Sequence, residues 1–264
     1  MTAINSNSLS DSPGDRPRVT VAGIAVNNLT EDETIAAIQE LISQGKPHYM
    51  AVVNAAKVVA ARRDPRLAAV LKSASIVTAD GMSVVWASRL LGTPLAARVT
   101  GIDTMERLAT LADERGLSVY FLGAADEPVR KTVDYFVRAA PGLSVVGFRN
   151  GYFDYSESAA VAQQIKESRA DILFVGMGSP RQEIWIAENL AETGVRFALG
   201  VGGSFDHFSG LSRRAPLWMQ HAGLEWVYRL ASEPRRLWRR YLIGNTLFIH
   251  LVLKQLLSRD SGAP

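Results

Sequence analysis

Polar and glycine-rich residues follow the β-prone runs of this sequence, at the positions where strands are predicted to end. In the stretch SIVTADGMSVVWA, Asp80 and then Gly81 follow an apolar run. The other strand ends are Asn54, Gly123, GMGSPRQE (176–183) and GVGGSFD (200–206). Glycines let a backbone approach a ligand closely, and helix N-termini favour anions. Any single glycine can simply form a tight turn, but together these endings indicate one edge that binds a nucleotide or a sugar nucleotide.

Two roles are open to Asp80. Its side chain can accept hydrogen bonds from the first N–H groups of the next helix, which would make it an N-cap. The same carboxylate can act as a general base, because open α/β sheets place their chemistry at the carboxyl ends of the strands. Asn54 is likewise placed to cap the helix that follows it.

Two further stretches carry groups suited to a phosphorylated ligand. Arg98 lies in the loop PLAARVTG (94–101), where its guanidinium could bind a phosphate through two hydrogen bonds or simply face solvent. In GSPRQEIWI, Pro180 occupies a predicted first helical position. Gln182 then falls in the first turn, where it can point toward the ligand edge or lie on the helix surface.

Composition and spacing exclude several other kinds of site. The chain has no cysteine, so disulfides, thiol catalysis and cysteine-ligated metals are excluded. Its four histidines show no HxxxH or HExxH spacing, and we expect no metal site. GVGGSFD has Phe205 where a GxGxxG motif needs its last glycine, and no GxxxxGK[ST] is present. We therefore expect neither a nicotinamide cofactor nor a P-loop, and no other cofactor.

An alternation of strands and helices carries these residues. The run RVTVAGIAV is predicted to be a strand, and TEDETIAAIQELISQG a helix with a capping box from Thr30 to Glu33 that ends at Gly45. Continuous apolar strands that alternate with helices are typical of a largely parallel sheet with helices on both faces. The sequence therefore predicts an α/β, Rossmann-like catalytic body over residues 18–206.

The last quarter of the chain differs in charge and pattern. Residues 1–204 carry 20 basic and 22 acidic side chains, whereas residues 205–264 carry 9 basic and 4 acidic. Because residues 207–264 lack a strand-like run, we predict a helical appendage there. Its basic excess indicates a localised anionic partner. The candidate contacts to that partner are Arg213, Arg214, Arg235, Arg236, Arg239 and Arg240.

The end of this appendage is apolar but not continuously so. Asn245, His250 and Lys254 interrupt the run from Tyr241 to Leu257, which is too short and polar to span a membrane. We expect a helix that lies in the membrane interface with a basic face. The alternative is a helix packed on the protein's own core or in a dimer interface.

The opposite end of the chain, MTAINSNSLSDSPGDRP over residues 1–17, is rich in Ser, Asp and Pro. This composition predicts a disordered lead-in. It lacks the charged and apolar regions of a signal peptide, so we expect a cytoplasmic protein.

In this order, the motifs resemble those of the WecG/TagA/CpsF family of bacterial glycosyltransferases (glycosyltransferase family 26). The match runs from about Val19 to about Tyr241 and rests on VVNAAK, ADGMSVV, RVTGID, FLGA, NGYF, GMGSPRQEIWI, GVGGSFDHFSG and RRAPLWMQHAGLEWVYRL. The resemblance implies an inverting, metal-independent enzyme of cell-surface polysaccharide synthesis. It would move a sugar of the ManNAc, ManNAc-uronate or glucose type from a UDP-sugar to a polyprenyl-diphosphate-linked acceptor. It also implies peripheral attachment at the inner face of the cell membrane through the appendage, and it leaves homo-oligomerisation open.

The resemblance also gives roles to individual residues. Asp80 matches the proposed general base. Asn54 and Arg98 match positions at the diphosphate and the sugar. Positions at the nucleotide are matched by Tyr152, Gln182 and Asp206.

The chain departs from the family pattern near Asn54. Many members have Thr two residues before this Asn, where Val52 stands here, and Glu in place of Ala56. A hydroxyl and an acid are therefore missing, and the motif does not specify the donor sugar.

Two other functions remain open on the sequence alone. A nucleic-acid-binding protein could use the Arg- and Trp-rich appendage, but it would need basic residues across the body, which is net acidic. We therefore expect no nucleic-acid partner. A non-catalytic nucleotide-binding regulatory module is the second alternative, and it would tolerate loss of Asp80.

Overall fold

The computed structural model describes residues 17–260, apart from the side chains of His221, Arg236, Arg239, Arg240, Arg259 and Asp260. The predicted lead-in, residues 1–17, thus lies outside the described residues except for Pro17. The Pro17 carbonyl accepts a hydrogen bond of 2.9 Å from the Asn28 N–H.

The strands in chain order are β1 (Arg18–Val21), β2 (Ile24–Asn27), β3 (His48–Val53), β4 (Ile76–Ala79), β5 (Ser118–Gly123), β6 (Ser144–Arg149), β7 (Ile172–Gly176) and β8 (Phe197–Gly200). The last six form one sheet in the order β4-β3-β8-β7-β5-β6, and every pair in it is parallel. Their carboxyl ends therefore meet at one edge, which is where open α/β sheets bind ligands.

The helices in chain order are α1 (Glu31–Ser43), α2 (Ala55–Arg63), α3 (Pro65–Ser73), α4 (Met82–Leu90), α5 (Gly101–Arg115), α6 (Asp126–Ala139), α7 (Ser158–Ser168), α8 (Arg181–Thr193), α9 (Ser204–Phe208), α10 (Leu217–His221), α11 (Glu225–Ser232) and α12 (Pro234–Asp260). A single 3₁₀ turn, Tyr155–Glu157, precedes α7.

Helices cover both faces of the sheet. One apolar core packs the sheet against α2, α3, α7 and α8, and a second packs it against α1, α5, α6 and α9. Along β7, Leu173 and Val175 belong to the first core, while Ile172 and Phe174 belong to the second. A strand buried on both sides needs this continuous apolar run. The predicted Rossmann-like α/β body is confirmed.

Local sequence signals set several helix starts. Thr30 and Glu33 form the predicted capping box of α1, and Gly45 follows that helix with a φ of 68°. Asn54 is the N-cap of α2, where its side-chain oxygen accepts a hydrogen bond of 3.1 Å from the Lys57 N–H. Such caps satisfy N–H groups that have no partner inside the helix.

The first predicted strand is wrong in one respect. RVTVAGIAV forms not one strand of the main sheet but an antiparallel hairpin, in which β1 pairs with β2. Ala22 and Gly23 at its turn have φ values of 49° and 86°. Two consecutive positive φ values reverse the chain in the sense that suits the right-handed twist of the strands.

The C-terminal region is helical, as predicted, with α10, α11 and α12 as its elements. Helix α9 crosses the predicted boundary after residue 206, because Phe208 is buried against Phe136, with ring centroids 4.7 Å apart. The second half of α12 packs on the body. Phe248 and Val252 are each 4% exposed in its core, and the Gln255 side chain bonds to the hairpin at Ala22 N–H, 2.6 Å, and Thr20 carbonyl, 2.9 Å.

For this half of α12, packing on the protein's own core is therefore the alternative that the structure shows. Among the described helices, none combines the length and apolar content needed to cross a bilayer.

Candidate active site

Asn54 and Asp80 lie next to each other at the carboxyl edge of the sheet. Strands β3 and β4 run in register to Val53 and Ala79, and the Asp80 N–H donates to the Val53 carbonyl at 2.9 Å. A Cβ on Gly81 would lie 3.0 Å from the Asn54 Cβ. Glycine at position 81 therefore permits the close approach that brings the two polar side chains together.

Asp80 does not cap the following helix. The N-cap of α4 is Gly81, and no side-chain capping bond is present there. The N-cap role that the sequence left open for Asp80 is not the one it has, because the helix begins one residue later than a cap at position 80 requires. The carboxylate is half-buried, and its charge acts on Arg214 and Arg229 from the appendage.

The loop that carries Arg98 also lies at this edge. The Val99 N–H donates to the Ala79 carbonyl at 3.0 Å, which fixes the loop against the end of β4. The guanidinium of Arg98 contacts Glu225 of α11, with Nη1 and Oε2 2.9 Å apart, and both side chains are largely buried. The structure thus pairs this predicted phosphate contact with a carboxylate of the appendage.

Arg214 makes a second contact between appendage and body. Its guanidinium bonds to both carboxylate oxygens of Asp103, through Nη1 to Oδ1 and through Nη2 to Oδ2 at 2.8 Å. The Thr100 hydroxyl donates to the same carboxylate at 2.7 Å. A planar guanidinium matches a carboxylate in this arrangement, so the orientation of Arg214 is well defined.

The charges of this cluster shift each other's pKa. Burial would raise the pKa of Asp103, but hydrogen bonds from Arg214 and Thr100 and the charges of Arg214 and Arg98 outweigh it and lower the pKa. Burial would lower the pKa of Arg214, but the bonds and charge of Asp103, then the charges of Glu225 and Asp80, raise it. Both groups are therefore held in their ionised forms.

Gln182 and its neighbours form a buried network beneath the edge. Gln182 is 1% exposed; its Oε1 accepts from the Gly202 N–H at 2.9 Å, and its Nε2 donates to Glu183 at 2.8 Å. The same Glu183 oxygen lies 2.6 Å from Lys57 Nζ. Gln182 therefore holds the glycine-rich loop after β8 in place. Its side chain is buried and does not lie on the helix surface that the sequence also allowed.

The glycines at the strand ends serve two different purposes. A Cβ on Gly123 would lie 2.5 Å from Gly176, and one on Gly176 would lie 2.9 Å from the Phe205 ring, so both are required by packing. Gly178 and Gly202 have φ values of 77° and 57°, and a Cβ on either would meet nothing within 4 Å. Because the space beside these two turns is open, a ligand can approach the protein backbone there.

Tyr152 and Asp206 lie along the same edge but further from Asp80. Tyr152 follows β6 and is 77% exposed. Since β4 and β6 are the two edge strands of the six, they are separated by five strand spacings, or roughly 24 Å. Asp206 is half-buried in α9, between these extremes. A ligand that reaches both Asp80 and Tyr152 must therefore lie extended along the edge.

Sequence reasoning missed three members of the charged cluster: Asp103, Glu225 and Arg229. Glu225 and Arg229 stand four residues apart on α11, the spacing of an intrahelical ion pair, and the Glu225 Oε1 accepts from Arg229 Nη2 at 2.6 Å. That spacing was a visible signal. Nothing in the sequence indicated that the same glutamate also reaches Arg98.

Of the remaining predicted arginines, the structure describes the side chains of two. Arg213 and Arg235 are exposed, whereas the side chains of Arg236, Arg239 and Arg240 lie outside the described residues. Exposed apolar side chains share this region: Leu217, Trp218, Trp226, Trp238, Leu242 and Ile243. Among the side chains that the structure describes, no three of His, Asp or Glu are grouped so that they could hold a metal ion.

Comparison with known proteins agrees with the motifs. The model of the glycosyl transferase WecG/TagA/CpsF family matches residues 19–262. An N-acetylglucosaminyldiphosphoundecaprenol N-acetyl-beta-D-mannosaminyltransferase of Bacillus spizizenii is 37% identical over 223 residues, which is 84% of each chain. The matched range includes the hairpin, the sheet and the appendage, and the chain therefore belongs to the WecG/TagA/CpsF family of glycosyltransferases.

Proposed function

We propose that this glycosyltransferase moves a sugar from a UDP-sugar to a polyprenyl-diphosphate-linked acceptor, with inversion at the anomeric carbon and without a metal ion. The observation that carries the proposal is the half-buried carboxylate of Asp80 at the sheet edge, whose charge interacts with those of Arg214 and Arg229 from the appendage. A base can accept the proton that the attacking hydroxyl loses, and cationic groups nearby can stabilise the negative charge that develops on the departing UDP.

In the proposed step, the acceptor hydroxyl oxygen attacks the anomeric carbon as the bond from that carbon to the UDP oxygen breaks. The hydroxyl proton passes to Asp80, so one carboxylate is sufficient as the base. The departing UDP gains negative charge, and we assign its stabilisation to Arg98, Arg214 and Arg229. Because attack and departure occur on opposite faces, the product has the inverted configuration.

We propose the substrates from the name of the Bacillus relative and from the spacing of residues along the carboxyl edge of the sheet. The Bacillus enzyme is named for transfer of N-acetylmannosamine to N-acetylglucosaminyldiphosphoundecaprenol. We propose the same acceptor class here and N-acetylmannosamine as the first donor to test, ahead of its uronate and glucose. We assign to Tyr152, which is exposed and far from Asp80, stacking on the uracil of an extended UDP-sugar.

We further propose that the enzyme works as a peripheral protein at the cytoplasmic face of the membrane, where a lipid-linked acceptor is presented. Trp218, Trp238 and Leu242 are exposed on the appendage, as are Arg213 and Arg235. Aromatic and apolar side chains bordered by arginines are suited to an interface with anionic headgroups.

The test is a transfer assay with UDP-N-acetylmannosamine, its uronate and UDP-glucose, each offered with a short-chain lipid-diphosphate N-acetylglucosamine acceptor. Mass spectrometry identifies the product, and its anomeric coupling in NMR gives the configuration. We expect one donor to be used, inversion, and full activity in EDTA. Retention of configuration would contradict the mechanism. So would a loss of activity in EDTA, if Mg²⁺ or Mn²⁺ restores the activity. Failure of all three donors while UDP still binds would favour a non-catalytic nucleotide-binding module.

A further inference from the structure

We propose that Glu225 is a positioning residue for the transfer reaction: it holds Arg98 of the body and Arg229 of the appendage together at the edge of the sheet where Asp80 lies. The inference rests on the proposed function, since it concerns the arginines assigned there to the leaving group. Glu225 itself contacts neither the reacting atoms nor the substrate in this proposal.

The contacts divide between the two oxygens of one carboxylate. Glu225 Oε2 accepts from Arg98 Nη1 at 2.9 Å. Its Oε1 accepts from Arg229 Nε at 3.1 Å and Nη2 at 2.6 Å. Glu225 of α11 therefore bonds both to Arg98, whose loop is bonded to the end of β4, and to Arg229 of its own helix.

Burial makes this carboxylate an effective bridge. The Glu225 side chain is 12% exposed and that of Arg98 16%, so water screens their attraction less than at the surface. Burial would raise the pKa of Glu225, but the charge of Arg229 and the hydrogen bonds from Arg98 and Arg229 lower it. The bridge is thus anionic whenever the enzyme works near neutral pH.

The bridge leaves donors free for a ligand. A guanidinium has five N–H bonds, and Arg98 uses one nitrogen for Glu225 among the contacts described. Without Glu225, the positive charges of Arg98 and Arg229 would repel each other, and both side chains would regain rotamer freedom. An anion between them offsets the repulsion and fixes their orientation before substrate arrives, which is the preorganisation that transition-state stabilisation requires.

Other contacts would keep the appendage in place without Glu225. Arg214 bonds to Asp103 through two nitrogens, and a Cβ on Gly223 would lie 2.6 Å from the Trp86 ring, so the turn before α11 is packed on α4. Farther along, Phe248 and Val252 are buried in the body core. Variants at position 225 should therefore fold, and their effect should be local.

The test compares Glu225→Gln and Glu225→Ala with Glu127→Gln, a matched control in an exposed ion pair of α6 with Lys131. We expect kcat to fall by about 10²-fold in Glu225→Ala, because misplaced groups cost rate on this scale. Glu225→Gln, which keeps one accepting oxygen, should fall less. The dissociation constant of UDP should stay the same or decrease, since an anion has been removed from a phosphate site.

Two results would overturn the inference. One is an unchanged kcat in Glu225→Ala. The other is loss of kcat and UDP affinity together with a lower Tm, which would mark a merely structural residue. A double-mutant cycle of Arg98→Ala and Glu225→Ala on Tm reports the contact without any activity. If the cycle shows coupling but the parent protein transfers no sugar, the proposed function has failed rather than the contact.

Discussion

Lys57 Nζ lies 2.6 Å from Glu183 Oε1 in the interior between α2 and α8, where both side chains are under a tenth exposed. The same oxygen accepts from Gln182 Nε2, and Gln182 in turn holds the Gly202 N–H. One buried ion pair therefore supports the glycine-rich loop that closes the middle of the candidate site.

Breaking this pair should be costly. Lys57→Met leaves the Glu183 carboxylate buried without its cation, and the free energy of unfolding in urea should fall by about 3–5 kcal/mol. The double variant Lys57→Met/Glu183→Gln should recover part of this loss, because it removes the uncompensated charge. Lys131→Met, in an exposed pair, serves as the control, with a change below about 1 kcal/mol. Equal effects at positions 57 and 131 would show that the buried pair does not stabilise the fold.

Asp80→Asn should slow transfer by about 10² to 10⁴, the range for removal of a general base. UDP affinity, measured by calorimetry, should be nearly unchanged, because the substitution keeps the size of the side chain. Asp134→Asn, at an exposed position of α6, is the matched control. Transfer at the parent rate would remove Asp80 from the mechanism.

Tyr152→Ala should weaken UDP binding without affecting stability, since the side chain is 77% exposed. Stacking of a base on an aromatic ring is worth about 1–3 kcal/mol, so the dissociation constant should rise by roughly 5- to 150-fold. Tyr155→Ala, in the 3₁₀ turn that follows, is the control. If both variants bind UDP like the parent, the nucleotide does not extend to β6.

Stability should depend on pH through Asp103. Its folded pKa is lowered below the ordinary value of 3.8, chiefly because the bonds from Arg214 and Thr100 outweigh burial. A lowered pKa means that the unfolded chain binds the proton more readily, so this contribution is complete above about pH 3.8 and is lost as the pH falls through the folded pKa. Urea unfolding between about pH 6 and pH 3 should show a shallower decline for Asp103→Asn than for the parent. Parallel curves would contradict the assignment.

Replacement of Arg235, Arg236, Arg239 and Arg240 by Ser should release the protein from anionic vesicles, because each basic residue near such a surface contributes about 1 kcal/mol. High salt should produce part of the same effect, since exposed charges are screened over about 8 to 10 Å. The control replaces by Ser four arginines that are exposed on the body, namely Arg63, Arg89, Arg115 and Arg130. Substitution is preferable to truncation after Ser232, which would remove Phe248 and Val252 from the core. Vesicle binding that survives the tail substitutions would place the membrane contact elsewhere.

The sequence by itself determined the α/β class, the strand ends and several helix starts. These features depend on local physics: apolar runs and amphipathic stretches alternate along the chain, and Asn54 and Thr30 bond to N–H groups three residues away. The same locality explains why the sequence alone predicts Asp80 at the end of β4, since the apolar run that forms the strand stops directly before it. It also explains the misjudged hairpin, because a turn at Ala22 and Gly23 is a weaker signal than the apolar run around it.

Only the tertiary structure decided which charges meet. Arg98 and Glu225 are 127 residues apart, and Arg214 and Asp103, which also join appendage and body, are 111 residues apart, so no periodic pattern connects them. Gln182 became buried because β8 and its glycine-rich loop return to the centre of the sheet above it. The second half of α12 packs on α2 because Phe248 and Val252 find an apolar surface there. Such pairings follow from the path of the whole chain, since long-range contacts form only when distant elements fold against one another.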